Sequence, residues 1–112
     1  MDYFRQRSTI LKLLPLASDL TAPAGGDGGW LLAKIAQAGA WLPTEHFGRE
    51  VRLVHIGSVE LSRSIGYGDC VTFSAMTLQA DVDSVEVEVT ASLDSRREVD
   101  IIARAVLKFV PA

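Results

Sequence analysis

Hydrophobic and polar positions divide this chain into one long helical block and a series of alternating blocks. Residues 8–16 alternate weakly and are bounded by Pro15 and Ser18-Asp19, which predicts a first strand. Residues 19–29 hold Pro23 and Gly25, Gly26, Gly28 and Gly29, a loop whose backbone can approach a ligand closely. From Leu31 to Leu42 only Lys34 and Gln37 are polar. This segment predicts a helix starting at Gly28 or Gly29, capped by Asp27 and ended by Pro43. A helix apolar nearly all round is expected to be enclosed by other structure.

The remainder reads as strand. One is predicted at about 50–61, followed by a turn over 62–69, a strand at about 70–79 and a turn at 81–83. Val85, Val87 and Val89 then alternate with Glu86, Glu88 and Thr90, which marks a half-buried strand with a solvated Glu face. Leu93–Glu98 is read as a turn. Val99, Ile101, Ala103, Ala105, Leu107 and Phe109 form one apolar face, with Asp100, Arg104 and Lys108 on the other. The short turns between the last strands imply an antiparallel meander. The order strand, helix, four strands predicts an α+β fold, one helix packed by one strongly curved sheet, in a single domain over 1–112.

Composition narrows the setting. Apolar residues make up 48% of the 112, and mean hydropathy is +0.22. In so short a chain that excess suggests surface covered by a partner, hence a homo-oligomer. A net charge of -3 without a basic stripe argues against nucleic acid. Cys70 is the only cysteine, which fits a reducing compartment and a cytoplasmic location. Arg5, Arg7 and Lys12 lie among Ile10, Leu11, Leu13 and Leu14, a pattern shared with signal peptides. Lys12 and Pro15 interrupt that run and it is too short to cross a bilayer, so a strand is favoured and no membrane association is expected.

Particular residues sharpen the fold assignment. Ser18-Asp19, Gly28-Gly29-Trp30, Gly39-Ala40, Leu61, Ser64-Ile65, Tyr67-Gly68-Asp69, Ser84 and Phe109-Val110 occur in this order over about residues 8–110. In that arrangement the chain resembles the hotdog fold, and within it the bacterial acyl-CoA thioesterases. Five positions depart from the family pattern. Ala36 stands where the family carries a helix aspartate, Thr21 and Pro23 where its loop has asparagines. Asp27 replaces a bulky apolar residue, and Val82 replaces an arginine.

The resemblance implies a five-stranded sheet around a central helix, and a dimer whose sheets join edge to edge, with tetramers or hexamers beyond it. It implies two sites per dimer, each built from both chains. Acyl-CoA is the implied ligand, its pantetheine arm beside the helix, with no metal or organic cofactor. Candidate substrate contacts are Gly28, Gly29, Trp30, Gly57 and Ser84. A helix amino end offers free N–H groups and a favourable dipole to a carbonyl gaining charge, and glycines leave room for it. Hydrolysis also needs a proton acceptor. Ala36 is none, so Asp27 is the candidate base, with a helix cap as the simpler role, and Gln37 a residue that orients water. Glu45 is a weaker candidate base.

Other residues read as structural. His46 and His55 with one cysteine are too few for a metal site, and His55 is expected to pack inside a strand. Cys70 is read as packing, Trp30 and Trp41 as core or interface, and Asp69 as a turn residue. No Gly-Lys-Ser/Thr follows the glycines, so they are not a phosphate loop. A catalytically impaired acyl-CoA binder or dimerisation module is the alternative to an active enzyme. A hotdog dehydratase fits less well, since no histidine leads into the helix.

Overall fold

A computed structural model describes residues 7–21, 26–94 and 99–112. Strand β1 (Ser8–Leu13) leads through a 3₁₀ turn (Ala17–Leu20) to helix α1 (Gly26–Gly39) and the short helix α2 (Trp41–Phe47). Four strands follow: β2 (Val51–Leu61), β3 (Val71–Ala80), β4 (Val85–Asp94) and β5 (Val99–Pro111). All pairings are antiparallel, in the order β1-β3-β4-β5-β2. The predicted meander thus holds for β3, β4 and β5. The preceding strand instead crosses to the far side of β5, leaving β1 and β2 as the two edges.

The sheet curves around α1 because its helix side is built from matched large and small residues. Val85, Val87 and Val89 of β4 and Leu107 and Phe109 of β5 are fully or almost fully buried, and Ala91, Ala103 and Ala105 leave room between them. Against this surface α1 sets Trp30, Leu31, Ile35 and Ala38, all buried. The rings of Trp30 and Phe73 meet at 5.9 Å, tilted by 59°. Burying a side chain such as Phe73 contributes about 2–3 kcal/mol. Gly39 is the closest point of approach. A Cβ there would lie 2.8 Å from Leu107 Cδ1 and 3.1 Å from Val89 Cγ2.

The helix differs from its predicted form in three ways. It begins at Gly26, whose φ of 64° is open to glycine and strained for other residues. Asp27 therefore lies inside the first turn instead of capping it. Pro43 does not end the helical region. It sits in the first turn of α2, where a missing N–H costs no intrahelical bond. The break falls between Gly39 and Trp41, and α2 ends at Gly48, which is left-handed and donates its N–H to the Thr44 carbonyl at 2.9 Å. Finally, α1 is not enclosed within one protomer. Ala33, Gln37 and Trp41, spaced four apart, leave an exposed stripe, with Trp41 56% exposed.

Smaller differences follow from local pairing. The first strand stops at Leu13. Leu93 and Asp94 extend β4 instead of opening a turn, and 95–98 lie outside the described residues, as do 1–6 and 22–25. Glu86 and Glu88 are half-buried instead of fully solvated, and Glu88 forms ion pairs with Arg7 and, at 3.9 Å, with Arg104.

Candidate functional site

The first turn of α1 faces the segment that leaves β2. Asp27 Oδ2 accepts the backbone N–H of Ile65 at 3.2 Å, which ties the two together. Ile65 is buried, so this polar link is anchored in the core. Between them lies a cleft of about 350 Å³ lined by Asp27, Gly28, Leu31, Leu61, Ser62, Arg63 and Ser64. Gly28 is closely covered, with Leu61 Cδ1 3.5 Å from the point its Cβ would occupy. The N–H groups of a first helical turn have no intrahelical acceptor and carry the positive end of the dipole. The cleft thus joins the positive end of α1, one carboxylate, two apolar side chains and two hydroxyls. Its only cation, Arg63, is paired with Asp100 at 2.5 Å.

Asp27 and Gly28, both candidates from the sequence, line this cleft together with Ser62, Arg63 and Leu31, which are not among those candidates. Their signal was weak, since they are ordinary residues made local by the return of β2 to the helix end. Gly29 is half-buried in the same first turn. Trp30 is buried in the core, 7% exposed. Gln37 is exposed further along α1, where it accepts from Lys34 Nζ at 3.5 Å. Ala36 is half-buried beside it, about 12 Å along the axis from Gly28. Gly57 lies midway along the open edge strand β2. Ser84 lies before β4, at the opposite end of the sheet, in a small polar hollow with Gln79, Asp81, Glu86 and Lys108. Within one protomer, then, the cleft holds Asp27 and Gly28 but not Trp30, Gly57, Gln37 or Ser84.

Two structural expectations are corrected. His55 is exposed, because it shares a face with exposed Lys108 on β2, which stands at the edge of the sheet among the described residues. Cys70 is exposed just before β3 and is a free thiol. Glu45 is exposed on α2, and does not line the cleft. His46 is held by Nε2 against the Asp81 carbonyl at 2.9 Å, edge-on to Phe47. Asp69 accepts the N–H of Gly66 at 2.8 Å, closing the turn that the glycines predict. Asp81 accepts the N–H groups of Asp83 and Ser84 at 2.8 and 2.9 Å, and these bonds hold its carboxyl below the usual range. Among the described residues no three His, Cys, Asp or Glu side chains gather as a metal cage. No described helix is long and apolar enough to cross a membrane.

One long helix on the inner side of a curved antiparallel sheet, with a cleft at its amino end, defines a hotdog-fold protein. Comparison with known proteins places it more narrowly. A hexameric broad-specificity acyl-coenzyme A thioesterase, in an alanine-mutant form, superposes with a TM-score of 0.83 at 27% identity, over 93% of this chain and 79% of its own. An acyl-CoA hydrolase from Staphylococcus aureus, in complex with butyryl coenzyme A and coenzyme A, gives 0.81 at 26% identity, over 94% and 65%. A hexameric hotdog-fold thioesterase of Campylobacter jejuni shares the fold at 0.79 and 23% identity, over 93% of this chain and 82% of its own. By sequence, the chain is 28% identical over 80 residues to an uncharacterised acyl-CoA thioester hydrolase of Buchnera aphidicola from Acyrthosiphon pisum. The counterpart from Schizaphis graminum is 26% identical over 84 residues. These matches cover 71% and 75% of this chain, and 59% and 62% of the relatives. No protein-family model matches. The chain is similar in sequence and in fold to the acyl-CoA thioester hydrolases of the hotdog type.

Proposed function

We propose that this chain handles acyl-CoA thioesters, as a thioesterase, in the cleft at the amino end of α1. The observation that carries this reading is the convergence of Asp27 and Gly28 with Leu31 and Leu61 in one cleft. A thioester carbonyl set against the Gly28 N–H has a donor where its oxygen gains charge. Leu31 and Leu61 offer an apolar wall to the acyl or pantetheine chain. Asp27 is the carboxylate in reach. Its Oδ2 is engaged by Ile65, while Oδ1 carries no bond among the described residues and is left to take a proton from water. Water then adds to the carbonyl carbon, the C–S bond breaks, and the thiolate leaves. Loss of such a base lowers rates by roughly 10²–10⁴-fold.

The assembly proposed with it is a homodimer with sheets joined edge to edge, built into larger oligomers in the cytoplasm. Gly57 then lies at the seam. The roles of Trp30 and Ser84 rest on the resemblance, and that of Gln37 on the capacity of an amide to orient water.

A hydrolysis assay on a panel of acyl-CoAs tests this. Release of CoA that falls about a hundredfold or more in Asp27→Asn is expected. Undiminished turnover in that variant removes Asp27 from the mechanism. No turnover together with no thermal shift at millimolar CoA overturns the acyl-CoA reading altogether.

A further inference from the structure

Ser62, Arg63 and Ser64 give the cleft a polar wall, unlike the apolar one that Leu31 and Leu61 supply. The polar wall is fixed on both sides. The Ser62 N–H donates to the Ile102 carbonyl at 2.8 Å, and the Ile65 N–H donates to Asp27 Oδ2 at 3.2 Å. Arg63 lies between these two bonds, so its backbone is placed at the cleft before any ligand arrives. A placed backbone lowers the cost of ordering a long side chain on binding.

The Arg63 guanidinium is only partly used. Nη1 donates to Asp100 Oδ2 at 2.5 Å, while Nε and Nη2 carry no bond among the described residues. A guanidinium presents five N–H donors as a rigid planar fork, which suits the two oxygens of a carboxylate. The Arg63 and Asp100 side chains are 59% and 46% exposed, and a pair so open to water is held weakly. The hydroxyls of Ser62 and Ser64 have no partner among the described residues. Apart from Arg63, only Asp27 among the lining residues is charged. A ligand carboxylate therefore meets an opposite charge at one place in the cleft, and that place is flanked in sequence by two hydroxyls.

We infer that Arg63, with Ser62 and Ser64, selects short acyl-CoA thioesters whose acyl chain ends in a carboxylate. The inference rests on the thioesterase reading above and names its substrate class. The size of the cleft points to the acyl end of the ligand and not to the phosphates of coenzyme A. A volume of about 350 Å³ is at the small end of ligand pockets. It accommodates the thioester beside Gly28 and a short chain beyond it, but not the pantetheine arm, at whose far end the phosphates lie. Asp100 is the competitor: it holds Arg63 until a ligand carboxylate takes its place.

Two thioesters of equal chain length test the selection: glutaryl-CoA, which ends in a carboxylate, and pentanoyl-CoA, which ends in a methyl group. Corrected for spontaneous hydrolysis, kcat/KM is expected to favour glutaryl-CoA about tenfold or more. Arg63→Gln should bring that ratio to about one. Asp100→Asn should raise it, because the competing carboxylate is gone. A variant that merely folds less well loses both activities together and leaves the ratio in place. A wild-type ratio of about one or below overturns the inference and leaves the thioesterase reading standing. So does an Arg63→Gln variant that slows both substrates equally, the outcome expected if Arg63 serves a phosphate of the coenzyme. If neither thioester is hydrolysed, calorimetry gives the same ratio as Kd values. Tighter binding of glutaryl-CoA then keeps the selection and discards hydrolysis, while equal Kd values, or no binding of either, overturn the inference.

Discussion

The carboxylate of Asp27 holds the backbone N–H of Ile65, and through it the first turn of α1 is fastened to the segment after β2. The same carboxylate lines the cleft, so one residue joins a structural and a chemical demand. Two substitutions separate them. Asp27→Asn keeps an acceptor for Ile65 and should leave the melting temperature nearly unchanged while hydrolysis falls. Asp27→Ala strands a part-buried donor and should cost about 1–3 kcal/mol in urea unfolding. Equal stability for both variants would show that the link to Ile65 is energetically idle.

Ala36→Asp should raise acyl-CoA hydrolysis about tenfold or more, since the resemblance implies a carboxylate at that position. Ala36 is half-buried on α1, so an added carboxylate keeps a path to solvent. Steady-state kcat/KM on the most active acyl-CoA decides it. A folded variant with unchanged kcat/KM would place the working base elsewhere.

Gly39→Ala should destabilise the protein by about 1–3 kcal/mol, although alanine is the better helix former. The added methyl would meet Leu107 and Val89 in a core with no slack. Chemical denaturation measures the sign, and a stabilised variant would mean that α1 moves outward freely.

The two tryptophans should part company. Trp30→Ala removes a ring packed on Phe73 and should cost about 3–5 kcal/mol. Trp41→Ala, on the exposed stripe, should change protomer stability by about 0.5 kcal/mol or less. Unfolding midpoints at low protein concentration test the contrast. A large cost at Trp41 would mark a contact between subunits.

Acid should reveal Asp81. Its carboxyl is held low by the N–H groups of Asp83 and Ser84, so its contribution is present above the ordinary carboxylate range and lost as pH falls through the lowered value. Asp81→Ala should therefore lower the melting temperature at neutral pH and flatten its decline below about pH 4. Parallel declines in both proteins would remove Asp81 from the acid limb.

Much of this architecture was legible in the residues themselves. Alternation at Val85, Val87 and Val89 and the apolar face from Ala103 to Phe109 are period-two signals, and strands formed there. The apolar run after Gly29 is helical. What could not be read was lateral order. Nothing in the spacing of Val51 to Leu61 says that this strand pairs with β5 and stands at an edge, so His55 was expected to be packed and is exposed. The bulges at Val54 and Gly57 interrupt alternation and hide which side chains face the helix. Pro43 misled because its effect depends on where a helix begins. At the site, Asp27 and Gly28 were visible as neighbours in sequence. Arg63 and Ser62 were not, since only the return of β2 brings them near.

That return has a price in time. The strand whose far end walls the cleft is held by β5, which the ribosome makes last among the described strands. Before β5 is in place, β1, β3 and β4 can pair with one another, but β2 has no neighbour and the cleft lacks the wall that Leu61 supplies. Closure of the cleft therefore depends on pairing between strands far apart in sequence, a long-range contact of the kind that slows folding.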